Sequence, residues 1–513
     1  MTRRHGIGGL ASLAVATTLV SGEVTRTPGL ESYARAREIL DAGVRAIGGE
    51  EALRVARVVR RQMSGDWYGS GQGSRPEPFL GPTLTPPRSN ARNRIMSLID
   101  YAGNRWFDEA VESESTTDEV TRITAVAEDQ GFETITYRDE RPFHRDFHAQ
   151  DLPALRAGRL RRYPEGLLRM ALDRPEGLEW VGEGTELGRK QRVVSFTDPV
   201  GARVLLYFDA ETNLLTKSEI LRSHAIAGDS FSDVVYDDYR AVERLRLPFH
   251  CIDRRAGVPT EETRARSIEL NVIFPEERWQ SPSDFARMLE DPPGQSVEQL
   301  GEDLYMIRGP YNSIFAVFRD DVVVFEAPLS GKYSKAGLDL VHVTAPGKPI
   351  RCVVSTHFHF DHVAGVRTYV AEGVPIVTTP DAKGVIERVA SAQHTMHPDA
   401  LSRSPQSPRV ETVTDKRVFD DGTNRAELYD FGPTEHVAQM LVAYFPKQKV
   451  LFVADLWDIV STDLVIAGSD AVTLAQRIRE RGLQVERIIP VHGVPGTMEM
   501  LNNGLAIRAK YFK

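Results

Sequence analysis

Two units of different class are predicted in this chain: a β-rich α+β unit first, then a layered α/β unit. Three observations predict them. Strand-like runs separated by turn residues dominate from about Asn90 to Ile273, strands alternating with helices follow, and a proline-bearing stretch, Ser281–Gln295, lies between. The division is therefore 24–280 for the first unit, 281–297 for a linker and 298–513 for the second. At 513 residues, with 41% hydrophobic and 26% charged, the chain can bury a core in each unit and has the composition of an ordinary globular protein.

Before the first unit, Arg3 and Arg4 precede an uncharged run from Gly6 to Gly22, with Val20 and Gly22 at the small-residue positions of a cleavage site. That three-part pattern reads residues 1–22 as an export signal. It implies a periplasmic or secreted protein, or a cytoplasmic one if the segment is not a signal. Leu30 to Leu53 then reads as helical, with Gly48 and Gly49 breaking the pattern, and five prolines between Pro76 and Pro87 mark a loop. A helical interruption is expected around Leu152 to Leu172. The runs Arg192–Phe196, Arg203–Phe208 and Asn213–Ile220, parted by turn-forming residues, form a β-meander pattern.

Charge and cysteine content exclude whole classes. Lys and Arg number 63 against 72 Asp and Glu, a net charge of −9, with no basic run, so nucleic acid is not an expected partner. The two cysteines, Cys251 and Cys352, fall in different units and supply neither a disulfide framework nor a thiolate zinc site. Metal chemistry has to come from His and carboxylates.

The second unit contains such a set. The apolar run Arg351–Ser355 reads as a buried strand, and Thr356-His357-Phe358-His359-Phe360-Asp361-His362 follows directly. In an extended segment, residues two apart point the same way, so His357 and His359 can hold one ion. Asp361 and His362 come where the chain turns into the expected helix HVAGVRTYVAEG and can face a second. Asp455 ends another apolar strand, KVLFVA, where a carboxylate needs a cation or hydrogen-bond donors to offset desolvation. In the first unit His144 and His148, four apart around Asp146, lack an evident third ligand and read as a solvated polar segment.

These motifs resemble the metallo-β-lactamase fold superfamily over roughly residues 298–513. The family's H-x-H-x-D-H is His357 to His362, its next histidine matches His436 in FGPTEHVAQM, its aspartate matches Asp455, and its last histidine matches His492 in IIPVHG. The resemblance implies an αβ/βα sandwich with one metal on His357, His359 and His436, and a second on Asp361, His362 and His492, bridged by Asp455. The expected ions are two Zn²⁺, with Fe or Mn as alternatives. One departure is Glu326, in VVVFEAP, where the family usually has an aspartate that supports the ligands from behind. The end of the first unit, FDAETNLLTKSEI to VVYDDYRAVERLRLPFH, resembles the half-barrel of lipoprotein-carrier proteins, which implies an apolar ligand.

A dinuclear site of this kind implies hydrolysis of an ester, thioester, lactone or amide of a small-molecule substrate. A hydroxide shared by the metals would be the nucleophile, and Asp361 would pass a proton to the leaving group. Other readings stay open: a mononuclear iron relative that oxidises thiol or persulfide substrates, or a lipid carrier with a secondary metal domain. Substrate contacts are expected from Trp457 and from His394 in the segment Ser391–Pro408; His397, Met396, Tyr311 and Asn312 are weaker candidates. Fold membership gives β-lactams no preference as substrate, and the oligomeric state is not set.

Overall fold

The computed structural model describes residues 27–68, 72–76, 91–113, 119–137, 142–290, 292 and 294–511. The segment 1–22 read as an export signal and the loop residues 77–90 lie outside them. Among the described residues no helix is long and apolar enough to cross a membrane.

Among the described residues, the N-terminal half is built on a sheet of 14 strands. Its middle strand, Val58–Trp67, pairs with Ala91–Asp100 on one side and Val258–Leu270 on the other, so the first described strand joins two meanders. Pairing is antiparallel except at one edge, where Ala286–Arg287, inside the proline-bearing stretch, runs parallel to Phe143–Asp146. Helix Pro28–Ala46 starts where the Thr27 side chain accepts from the Leu30 N–H, with Pro28 in the first turn. It ends before Gly48 and Gly49, both at positive φ, and a second short helix, Glu50–Val55, follows. The helical interruption consists of two helices, Leu152–Leu160 and Pro164–Asp173.

Leu40, Tyr163, Leu167, Leu168, Phe196 and Phe208 fill the space between helices and sheet. Arg61 and Glu165, 1% and 0% exposed, form an ion pair at 2.6 Å that ties helix Pro164–Asp173 to the middle strand. The Tyr101 hydroxyl donates to the same carboxylate at 3.1 Å, and the Tyr163 ring lies 3.7 Å under the guanidinium. A cleft of about 400 Å³ beside this core is lined by Trp106, Leu167 and Val204 but also by Arg161, Arg162 and Arg255.

The C-terminal half has two sheets packed face to face. The seven-stranded sheet runs in chain order from Ser296–Gly301 to Val410–Thr412, and the six-stranded one from Lys416–Asp420 to Gly496–Thr497. Phe325 of the first meets Phe445 of the second edge to face, ring centroids 5.2 Å apart. Helices Val366–Ala371 and Pro380–Ser391 lie against the first sheet and Met498–Tyr511 against the second. The helix expected in HVAGVRTYVAEG is broken into Phe360–Val363 and Val366–Ala371. Gly365 at the break comes so close to the neighbouring helix that a Cβ there would sit 1.8 Å from Ser334 Oγ.

The two halves interlock. The hairpin of Leu215–His224 and Gly228–Val242 carries Ile226 at its tip, where it is 2% exposed and belongs to the C-terminal apolar core. Beside it the Asp229 N–H donates to the Gln393 carbonyl, and its carboxylate accepts from Thr395 and Met396. Further along, the Leu289 N–H donates to Val460 O at 2.8 Å.

Candidate metal centre

Four separate connections converge on one end of the C-terminal sandwich. Strand Ile350–Val354 delivers Ser355 and Thr356, whose carbonyl accepts from the Leu441 N–H of the opposite sheet, and the chain then turns through His357 and His359 into helix Phe360–Val363. His436 sits in the loop before strand Leu441–Phe445, its N–H donating to Asp470. Asp455 comes directly off Val450–Ala454, and His492 off Arg487–Pro490. Asn312 holds the His492 turn: its side-chain amide donates to Pro490 O and Gly493 O, and its N–H to Val491 O. Gly493 is required there, because its φ is +85° and a Cβ would lie 2.1 Å from Ile459 O.

The seven residues named from the motifs meet as two groups. His357, His359, His436 and Asp455 form one, and Asp361, His362 and His492 the other; within each, the ligand atoms all lie within 4.8 Å of one another. Asp455 stands between them, Oδ2 being 3.3 Å from His436 Nε2, 3.8 Å from His357 Nε2 and 2.9 Å from His362 Nε2, while Oδ1 is 3.6 Å from His492 Nε2. Asp361 Oδ2 is 3.7 Å from both His362 Nε2 and His492 Nε2.

Unmet bonding capacity tests whether the set fits a cation. His357 Nε2, His359 Nδ1, His436 Nε2 and Asp455 Oδ1 are all buried with no hydrogen-bond partner. Such groups cost stability unless something satisfies them, and imidazole nitrogens with a carboxylate are a suitable donor set for Zn²⁺ or Fe. The far side of the rings is engaged. His357 Nδ1 lies 3.0 Å from Thr356 Oγ1, which donates to Glu326 Oε2 at 2.7 Å, and His362 Nδ1 lies 3.1 Å from the same oxygen. Glu326, wholly buried, thus backs one histidine of each group, the placement that orients metal ligands.

Electrostatics point the same way. Burial and the neighbouring imidazoles hold His357 well below its usual range, and burial with His436 does so for His359, keeping both rings neutral and ready to donate a lone pair. Burial opposes charge on His362 too, but Asp455, Asp361 and Glu326 outweigh it and push that ring well above the usual range. Asp455, which burial alone would raise, is instead held well below the carboxylate range by His362 and His492. The three carboxylates demand positive charge in this pocket.

Residues 306–492, from the second strand of the first sheet to the last of the seven residues, match the model of the metallo-beta-lactamase superfamily. The C-terminal region is a metallo-β-lactamase domain. A stretch of 54 residues is 41% identical to a linear primary-alkylsulfatase from Pseudomonas sp, and spans 10% of this chain and 8% of that enzyme's length. Among solved structures, a metallo-beta-lactamase from Pontibacter korlensis is 21% identical, covering 42% of this chain and 98% of its own, with a TM-score of 0.33. TMB-1 and the DIM-1 metallo-beta-lactamase are each 16% identical, covering 43% of this chain and 99% of their own, with TM-scores of 0.34 and 0.33.

The residues expected to contact substrate fall elsewhere around this metallo-β-lactamase domain. Trp457 is 2% exposed within the core, its indole N–H donating to Ile466 O, so its ring offers no open wall. His394 is buried at the contact with the N-terminal half, where burial and Arg367 lower its pKa, and His397 and Met396 are exposed on the same loop. Tyr311 does reach the centre, its ring edge to face with His492 at 4.6 Å. In the N-terminal half His144 is in strand Phe143–Asp146, its ring tilted against Phe285 at 4.4 Å and bonded to Ser281 and Asp146. It is buried, not solvated as the sequence suggested, and serves packing. Gln72 and Gly73 were not foreseen: the Gln72 amide donates to Asp361 Oδ1 at 2.6 Å, and His359 Nε2 to Gly73 O at 3.0 Å.

Proposed function

We propose that this chain is a metal-dependent hydrolase that cleaves an ester, thioester, lactone or amide bond in a small-molecule substrate. The observation that carries the reading is the set of four buried, unpartnered ligand atoms on His357, His359, His436 and Asp455, beside the second group of Asp361, His362 and His492. In this reading His357, His359 and His436 hold one ion, Asp361, His362 and His492 hold another, and Asp455 serves both. Bound divalent ions, zinc in the first instance, supply Lewis acidity and an activated water at neutral pH.

The chain's own residues do the rest. Glu326 and Thr356 fix the ring orientations of His357 and His362, Tyr311 closes one side of His492, and in this proposal Asp361 would pass a proton to the leaving group. The short alkylsulfatase likeness adds sulfate esters of primary alcohols to the substrates worth testing. Export to the periplasm or medium is part of the same proposal, carried by the N-terminal pattern alone.

Elemental analysis of the purified protein, followed by a screen of carboxylic esters, thioesters, lactones, amides and alkyl sulfates, tests this. Two zinc ions per chain and turnover of one class are expected. A single iron with thiol oxidation, or metal-free protein carrying a lipid and hydrolysing nothing, overturns it.

A further inference from the structure

The Gln72 and Gly73 contacts come from the N-terminal half, 289 and 286 residues away from their partners in sequence. Each falls on the side of a ligand that does not face the other ligands. Asp361 has Oδ2 turned to His362 and His492, and Gln72 takes Oδ1. His359 has Nδ1 buried without a partner, and Gly73 takes the proton of Nε2. One residue on, Ser74 O accepts from the Ala438 N–H at 2.8 Å, two residues from His436. Three consecutive residues therefore touch the surroundings of His359, Asp361 and His436, and Gly73 is itself buried.

We propose that Gln72, Gly73 and Ser74 are positioning residues of the metal centre, so that the N-terminal half completes the outer shell of ligands on the C-terminal domain. The inference rests on the metal-centre reading above.

The physical reasons are specific to each contact. A free carboxylate rotates and offers either oxygen; a neutral amide donating to Oδ1 leaves Oδ2 for the cation and adds no charge to the site. An imidazole binds through Nδ1 only in the tautomer protonated at Nε2, and a carbonyl facing Nε2 selects that tautomer and fixes the ring plane. The Ser74 bond to Ala438 anchors the segment on the His436 loop, so segment and ligands keep register. Outer partners of this kind typically change metal affinity by about 10–100-fold when removed.

The test uses the full chain and Gln72→Leu, which keeps the size of the side chain and removes its donor. Both are stripped of metal and titrated with Co²⁺, following the ligand-field absorption, and then with Zn²⁺ against a chelator. Thermal unfolding of the metal-free forms checks that the variant is folded. The expected result is two binding steps in the parent chain and a roughly tenfold or greater weakening of one step in Gln72→Leu, with a changed absorption band for that ion only. Gln72→Asn, which keeps a neutral amide donor on a shorter side chain, should lose less affinity than Gln72→Leu.

Equal affinities and spectra for the parent and a folded Gln72→Leu overturn the positioning role while leaving the metal centre standing. A parent chain that binds no Co²⁺ or Zn²⁺ overturns the metal-centre reading itself, and this inference with it.

Discussion

Replacing Glu326 with Gln tests how the centre is held from behind. One oxygen, Oε2, receives both the Thr356 hydroxyl and His362 Nδ1, and Thr356 in turn meets His357 Nδ1. Gln can keep one acceptor in that place. Its amide nitrogen then takes the position of Oε1, which is buried with no partner, and an unsatisfied buried donor costs about 1–3 kcal/mol. Rotating the amide puts the nitrogen against Thr356 and His362 instead, and loses both bonds. Either way the orientation of one ligand in each group is weakened, and a loss of about 10–100-fold in metal affinity is expected. That is about 1.4–2.7 kcal/mol per affected ion. The assay is chelator competition on metal-free protein, resolving the two steps, with unfolding of both metal-free forms as control. Affinities within twofold of the parent at both steps would refute the claim that Glu326 orients His357 and His362.

His359→Ala should abolish turnover and reduce bound metal by elemental analysis, whereas His144→Ala, at a packing site bonded to Ser281, should leave metal content unchanged. Glu165→Ala strands Arg61 in a site where both side chains are essentially unexposed; a loss of about 3–5 kcal/mol in denaturant unfolding is expected. His224 is held near 4 by burial and by Arg255, and its Nδ1 accepts from the Ile226 and Ala227 N–H groups. The unfolded chain therefore takes up this proton first, so its contribution to stability is complete above about 6.5 and is lost as pH falls toward 4. Denaturant midpoints measured across that window should fall less steeply in His224→Asn than in the parent.

The candidate metal ligands could be singled out because local geometry writes part of the set into the sequence and the family resemblance supplies the rest. A strand followed by a tight turn forces His357, His359, Asp361 and His362 into a fixed spacing, and Asp455 and His492 each stand at the end of an apolar strand. The β-meanders were legible for the same reason, since alternation and turn residues act within a few positions. Gln72 and Gly73 carry no such signal. An isolated Gln-Gly beside a proline-rich loop is ordinary turn composition, and only tertiary packing brings it to Asp361 and His359. Trp457 misled in the opposite direction: proximity in sequence to Asp455 does not give it the same facing, and its ring packs beside Gly496 in the core. The helix after His362 failed as a continuous element because Gly365 is needed for close approach to Ser334.

The hairpin tip at Ile226 changes what a domain boundary means in this protein. A residue contributed by the first half is counted among the interior of the second, so a fragment cut at the proline-bearing stretch would leave a socket open to water on one piece and an uncovered isoleucine on the other. Such fragments lose apolar contact at a place neither can repair alone. The two halves are therefore coupled at this contact: a label on the N-terminal hairpin should sense loosening of the C-terminal domain, although none of the seven candidate ligands lies on that hairpin.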